Sequence, residues 1–322
     1  MLQVRKYNQN FKSRWNEFNK LARNGNFLFD RNYMDYHSDR FMDHSILLLD
    51  EKERIVACFP ANEVEERIFS HQGLTYGGLI QKKDQKIEVT LTLWDCILKY
   101  YKNLGYNEII YKHFPSFLND GLIQDTDYAM FLLKATLFRR DTAFVIEYKH
   151  QQKIASNYIR EAKHAKKEGF YTEFSDDLSE FWGVILEPNL KSKFGVKPVH
   201  DLKEIQLLKN KFSNEIKFFG VYNAEDELVG GTLLYDFNSV RHCQYISSTS
   251  EARSSGALNL LFIDLINHSK DSFEYFDFGI ANENDGKILN KGLASWKQRM
   301  GGRAMCHDFY RINTNDNNLI SE

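Results

Sequence analysis

The sequence predicts an α/β (α+β) chain of two tandem units, each a mixed sheet flanked by helices. Three observations carry this. The chain has 322 residues, more than one compact core usually holds and right for two. Its period-2 and period-3.6 stretches follow one order twice: hairpin, third strand, glycine-bearing loop, helix, strand. Between the two series lies a basic amphipathic segment. The expected division is residues 1–148 for the first unit, 149–169 for a connecting helix and 170–322 for the second.

The elements follow in order. Residues 9–23 set Phe11, Trp15, Phe18 and Ala22 at helical spacing, and Asn24-Gly25-Asn26 ends that helix. A short second helix is expected near residues 32–36. Residues 45–49 and 54–60 form a hairpin about the turn at 50–53; residues 61–66 continue it or turn, and 67–71 make a third strand. The loop at 74–80 holds Tyr76-Gly77-Gly78. A helix over 87–104 ends at Gly105, and a strand over 107–112 follows. The second series has strands at 217–222, 228–237 and 240–247, a loop holding Gly256, a helix over 257–268 and a strand over 273–278.

In the segment between them, Ile154, Ala155, Tyr158, Ile159, Ala162 and Ala165 share one helix face. Lys153, Arg160, His164 and Lys167 fall on the opposite face. They form either a solvated surface or a ridge for an anionic substrate or donor.

Composition limits the function. Hydrophobic residues make up 43% and aromatics 14%, enough for two cores, and no tract is of low complexity. A net charge of −2 excludes a general nucleic-acid binder, so no DNA partner is expected, but a local basic patch is allowed. Cys58, Cys96, Cys243 and Cys306 are scattered and read as reduced thiols of a cytoplasmic protein. No signal-like stretch opens the chain and no apolar run approaches the ~20 residues of a membrane span. The expected location is the cytoplasm, with peripheral contact at the inner face of the membrane within reach. His37, His71, His113 and His200 show no metal-ligand spacing, so no metal is expected. Nucleophile-elbow, P-loop and Rossmann motifs are missing.

Residues 244–261 run from a β-like stretch through a polar turn into a helix. A helix opening there offers N–H groups and its positive dipole end at Ser254, Ser255 and Gly256, a place for a phosphate. An ordinary N-cap is the plain alternative. Arg253-Ser-Ser-Gly-Ala-Leu258 is similar to the Gln/Arg-x-x-Gly-x-Gly/Ala loop with which acyltransferases of the GNAT superfamily grip the pyrophosphate of acyl-CoA. It keeps the arginine and the first glycine, with Leu258 at the second small position.

Two such units joined by a basic helix resemble the FemAB-like branch of that superfamily. The resemblance rests on Ile159–Gly169, on Leu190–Ile205 with Pro198-Val199-His200, and on Trp296-Lys-Gln-Arg-Met-Gly-Gly302. The last is similar to the branch's aromatic-Lys-x-x-aromatic-Gly-Gly signature. With Tyr111–Phe117 and Tyr128–Phe131, the chain looks closest to GNAT-like proteins of surface-polysaccharide loci. The resemblance implies an N-acyltransferase that moves an acyl group from acyl-CoA to an amine. The acceptor would be an amino sugar or a related small-molecule or lipid-linked precursor of a bacterial surface glycan. The best-known members of the branch instead take an amino acid from aminoacyl-tRNA for the peptidoglycan bridge, and only that alternative brings tRNA in as a partner. A third reading is a non-catalytic pair of GNAT-like domains that binds a partner.

Acyl transfer to an amine needs a proton acceptor, N–H donors for the carbonyl oxygen, and an acid for the leaving group. The expected donor-binding residues are Ser247, Arg253, Ser254, Ser255, Gly256 and Ala257, with the strand edge at 245–248 facing the carbonyl. Glu251, Asp277 and Glu283 are the nearby carboxylates; Asp277 and Glu283 are the candidate bases. Asp277 faces away from Phe276 and Phe278, so capping, or pairing with Arg303, is its structural alternative. The resemblance implies that Lys297 contacts the donor or an acceptor phosphate. Tyr310 is a candidate acid or a core residue. Tyr76, Gly77, Arg140 and Arg160 are candidates for substrate contact, Gly77 through close backbone approach.

Overall fold

The computed structural model describes residues 2–121 and 123–315. The chain forms two compact units. The first takes in residues up to Asp141, Asp285–Lys287 and those from Cys306 on; the second takes in Thr142–Asn284 and Ile288–Met305.

The first unit contains β1 (Gln3–Lys6), α1 (Lys12–Leu21), α2 (Arg31–Met34), β2 (Met42–Asp43), β3 (Ile46–Leu49), β4 (Ile55–Phe59), β5 (Asn62–Val64) and β6 (Arg67–Phe69). Then come β7 (Ile80–Gln81), α3 (Ile87–Asn103), β8 (Glu108–Lys112) and α4 (Asp125–Leu132). Strands β1, β3, β4 and β7 form an antiparallel sheet in that spatial order. A second ladder runs β2–β5–β6 antiparallel, with β8 parallel to β6. Pro60 lies between β4 and β5. It has no N–H to give a ladder, so the chain leaves one sheet at Phe59 and joins the other at Asn62. On α3, Leu93, Trp94, Ile97, Leu98 and Tyr101 recur at helical spacing and are buried. They pack on Ile46, Phe59, Ile109 and Tyr111.

A long strand, β9 (Thr136–Glu147), starts in the first unit and ends in the second. The second unit continues with α5 (Ser156–Lys167), β10 (Tyr171–Ser175), α6 (Glu187–Phe194), α7 (Leu202–Lys211), β11 (Ile216–Tyr222), β12 (Leu228–Phe237) and β13 (Val240–Ser248). It closes with α8 (Ser250–Ser254), α9 (Ala257–Ser269), β14 (Tyr275–Ile280), β15 (Asn282–Glu283), β16 (Ile288–Leu289) and α10 (Lys291–Arg299). The final strand, β17 (Arg303–Asn313), passes into the first unit and pairs antiparallel with β8. The sheet of the second unit runs β10-β11-β12-β13-β14-β9. Its first four strands form an antiparallel meander, and β14 then lies parallel to β13. Helix α9 buries Leu260, Leu261, Phe262, Leu265 and Ile266 against Phe276, Phe278, Phe144 and Ile146.

The repeated order is therefore present as β3, β4–β5, β6, α3, β8 and again as β11, β12, β13, α9, β14. The division differs from the expected one at both ends. Helix α5 is an integral part of the second unit, because Ala162 and Ala165 are small enough to bury against its core. The stretch from Cys306 returns to the first unit through the β17–β8 ladder. Lys153 precedes α5 rather than lying on it, and Ile159 is exposed instead of lying on the buried face. Among the described residues, no helix is long and apolar enough to cross a membrane.

Candidate active site

The second unit contains a strand fork. Strand β13 pairs with β12 along its length, with Gln244 inserted as a bulge between Cys243, opposite Leu234, and Tyr245, opposite Leu233. With β14 it pairs only at Val240↔Tyr275, Arg241↔Phe276 and His242↔Asp277. Beyond that rung β13 runs on to Ser248 and β14 to Ile280, and the two diverge. Backbone groups on that edge of β13 then have no strand partner among the described residues. Such groups seek hydrogen bonds from elsewhere.

The base of the fork is polar. His242 Nδ1 lies 2.7 Å from Asp277 Oδ2, and Asp277 Oδ1 accepts the Gly279 N–H at 2.7 Å. An ionised carboxylate only accepts, so Nδ1 carries the hydrogen. Nε2 lies 3.2 Å from the end of the Gln244 side chain, whose amide NH₂ must be the group facing it when the ring is neutral. Asp277 is fully buried. As strand alternation predicts, it faces away from Phe276 and Phe278, which pack in the core with α9. Its carboxylate holds His242 and the β14 backbone.

Lys297 enters from α10. Its Nζ donates to the Gly279 and Ile280 carbonyls of β14 at 2.9 and 2.8 Å. Only 2% of the residue is exposed. Burial pushes its ammonium down to about 8, while Asp277 and Cys243 pull the other way. Burial in the same place drives the Cys243 thiol up to about 12. The lysine charge is thus spent within the protein, on the β14 side of the fork. Helix α10 is seated by Asn290, whose side chain accepts the Leu293 N–H and donates to Glu283 Oε1. Glu283 is exposed and braces that cap.

A cleft of about 420 Å³ lies along the unpaired end of β13, lined by Tyr158, Glu161, Ser247, Arg253, Asn259 and Trp296 among others. The loop between β13 and α9 faces it with several of its donors already bonded within the protein. Arg253 Nη1 donates to the Ser248 carbonyl at 2.6 Å and to its hydroxyl at 3.2 Å. Ser255 N–H bonds to Glu251 O, and Ala257 N–H to the Ser255 hydroxyl. The Ser254 hydroxyl donates to Glu251 O. Ser247 accepts from Asn189 at 2.9 Å.

Gly256 has φ +85°, and a Cβ there would lie 2.7 Å from the Glu161 carbonyl of α5. The glycine admits a neighbouring helix, where the sequence suggested it admits a phosphate. The Glu161 carboxylate accepts from Asn259 at 2.6 Å, one turn into α9, and itself occupies the anion-favouring end of that helix.

Tyr76, Gly77, Arg140 and Tyr310 belong to the first unit, while the fork belongs to the second. Tyr76 is buried, with Phe114 edge-on to its ring. A Cβ on Gly77 would meet the Ser70 and Lys112 carbonyls at 2.5 and 2.8 Å, so that glycine lets two backbone segments meet. Arg140 is clamped by both oxygens of Asp308, which hold its pKa above the usual value. Burial and Asp308 push the Tyr310 hydroxyl up to about 12, which makes it a poor acid at neutral pH. Arg160 is exposed on α5. His242, Gln244, Glu161 and Asn259 were not site candidates from sequence, and Trp296 entered only as the first residue of the signature it opens. The one available signal was that His242 lies near the start of β13, a strand whose parallel neighbour carries Asp277.

Residues 200–287, which span β11 to β14 and the fork, match the family model described as an acetyltransferase (GNAT) domain. No curated protein matches the sequence. Among solved structures, FemX is similar over 95% of this chain and 96% of its own, with a TM-score of 0.65 at 11% identity. L-PGS from Bacillus licheniformis is similar over 92% and 90%, at 0.61 and 13%. A tandem GNAT protein from the clavulanic acid biosynthesis pathway is similar over 98% and 99%, at 0.51 and 10%. Residues 200–287 are thus similar to a GNAT acetyltransferase domain. The chain as a whole shares the fold of FemX and of a tandem GNAT protein, two GNAT-like units in series.

Proposed function

We propose that the protein forms an amide at the β13–β14 fork, moving an acyl group onto the amine of a nucleotide- or lipid-linked glycan precursor. The observation that carries this is the last rung of the fork, where His242 and Asp277 meet beside an unpaired strand edge. The neutral amine attacks the acyl carbonyl, displaces the Gln244 amide from His242 Nε2, and passes its proton to that nitrogen. Asp277 keeps the imidazole in the tautomer that can take it. Charge building on the carbonyl oxygen meets N–H groups of the free β13 edge. Lys297 ties down the β14 carbonyls, so the two edges stay apart. The C–O or C–S bond to the donor then breaks, and the leaving group regains a proton.

The donor reading that the geometry favours is aminoacyl-tRNA rather than acyl-CoA. Arg253 spends one guanidinium nitrogen on Ser248, the Ser255 and Ala257 N–H groups bond locally, and Glu161 sits where a pyrophosphate would have to approach. Helix α5, which contributes Tyr158 and Glu161 to the cleft, exposes Arg160, Lys163, Lys166 and Lys167. A row of cations of this kind suits a phosphate backbone. The test is a pair of titrations of the protein, one with charged tRNA and one with acetyl-CoA. Binding of charged tRNA that weakens with added salt is expected. Saturable binding of acetyl-CoA with no affinity for charged tRNA would reverse the donor assignment.

A further inference from the structure

The first unit has a fork of its own. Strands β6 and β8 pair in parallel only as far as Phe69↔Ile110. At the next step the Ser70 side chain, instead of a β6 backbone group, takes the Lys112 N–H, at 2.7 Å. This is the same position in the repeated order as the β13–β14 divergence. A cavity of about 340 Å³ opens there, with apolar walls from Phe69, Ile110, Phe138 and Phe309.

Two cations face that cavity, and they differ. Arg139 is neutralised: it donates to Asp141 and to Asp285, each at 2.7 Å, and its guanidinium lies over the Phe309 ring at 4.5 Å. Lys112 is not. Its Nζ donates to the Leu74 carbonyl and lies 5.9 Å from the Phe309 ring centre, and it forms no ion pair among the described residues. A carbonyl satisfies one hydrogen but supplies no counter-charge. Burial, and then Arg139, push this ammonium down to about 8, against a smaller upward pull from the Asp141 carboxylate that Arg139 already holds.

The rim adds a third, independent sign. His71 lines the cavity with φ +63°, a left-handed conformation that is costly for a bulky residue. Backbone strain of this kind gathers where ligands bind.

We infer that this cavity is a binding site for a small organic anion, a carboxylate or phosphate on an apolar or ring-shaped body. The anion gives Lys112 a direct ion-pair partner, and the body lies against the phenylalanine walls. The site belongs to the first unit alone and does not depend on which donor the second unit uses.

Pyridoxal 5′-phosphate tests this directly, since it joins an anion to a ring and carries an aldehyde that reports a lysine. The aldehyde carbon bonds to Lys112 Nζ, water leaves, and borohydride reduces the imine to a stable secondary amine. Adducts are mapped by peptide mass spectrometry at sub-stoichiometric reagent. Lys112 should be labelled several-fold faster than exposed Lys163 and Lys167. At least one of three competitors, inorganic phosphate, N-acetylglucosamine 1-phosphate or benzoate, should slow it several-fold. Which competitor protects separates a phosphate ligand from a carboxylate one. The inference is overturned if Lys112 reacts no faster than the exposed lysines, or if none of the competitors slows it. Mapping in the unaltered protein needs no variant to fold, and K112Q should lose only that adduct.

Discussion

His242 and Asp277 meet across the last rung that β13 and β14 share, with 2.7 Å between Nδ1 and Oδ2. One residue further along the two strands, no rung exists between them. The pair is therefore fixed by the sheet while standing at the point where the sheet opens. That position suits a residue that must hold a geometry and still meet a reactant.

Asp277→Asn should lower turnover by about 10²–10⁴-fold, the range for a misplaced general base. An amide can present its N–H₂ to Nδ1 and so favour the wrong tautomer. The carboxylate also accepts the Gly279 N–H, so the variant should lose roughly 1–3 kcal/mol of stability as well. Glutamine at His242 offers a control that keeps much of the volume. Measuring rate and urea midpoint for both variants separates the effects. A fall in stability with turnover intact would leave the pair a purely structural role.

Lys297 gives a pH signature whose sign is fixed. Its folded value is about 8 against 10.5 unfolded. Between those values the unfolded chain holds a proton that the folded chain has released, so stability rises with pH across that window. Relative to Lys297→Met, the parent should gain stability from about pH 8 to pH 10.5, by a few kcal/mol at most. Below about pH 8 the difference between parent and variant should be flat. Urea unfolding of both proteins across the range decides it. A gain of equal size in the methionine variant would show that Lys297 does not titrate there.

Gly256→Val should act on folding. The side chain would press on the α5 backbone and force a strained φ, at a cost of roughly 1–3 kcal/mol or more. Thermal melting reports this without any ligand. An unchanged melting temperature with a weakened donor would restore the phosphate role that the sequence suggested for this glycine.

Reversing charge at Arg160 and Lys163 together should weaken charged-tRNA binding and lower its salt dependence, with almost no change in melting temperature. Exposed cations contribute little to stability and much to phosphate affinity. A double variant that binds tRNA as well as the parent would remove α5 from the interface.

Much of the fold was legible because its signals are local. Strand alternation and helix spacing placed β11 to β14, α3 and α9 within a residue or two, and the alternation of Phe276, Asp277 and Phe278 gave the direction of the carboxylate. The site was legible only in part. Gly256 and Arg253 fit a phosphate loop on sequence spacing, yet spacing does not show that α5 lies across that loop. Glu161 reaches Asn259 from 98 positions away in sequence. His242 was missed for the same reason: its role comes from a parallel register with a strand 35 positions later. Tyr310 and Arg140 read as candidates while Asp308, their shared partner, lay unnoticed two residues from Tyr310.

The central claim is that amide formation runs through the fork and uses His242 as proton acceptor. The most direct measurement is acyl transfer from charged tRNA to an amino-sugar acceptor, glucosamine 1-phosphate, followed by mass spectrometry for the parent and for His242→Gln at matched folded fractions. The account predicts an amide product in the parent and a rate about 10²-fold or more lower in the variant, with donor affinity retained. An amide formed at the parent rate by His242→Gln would contradict it.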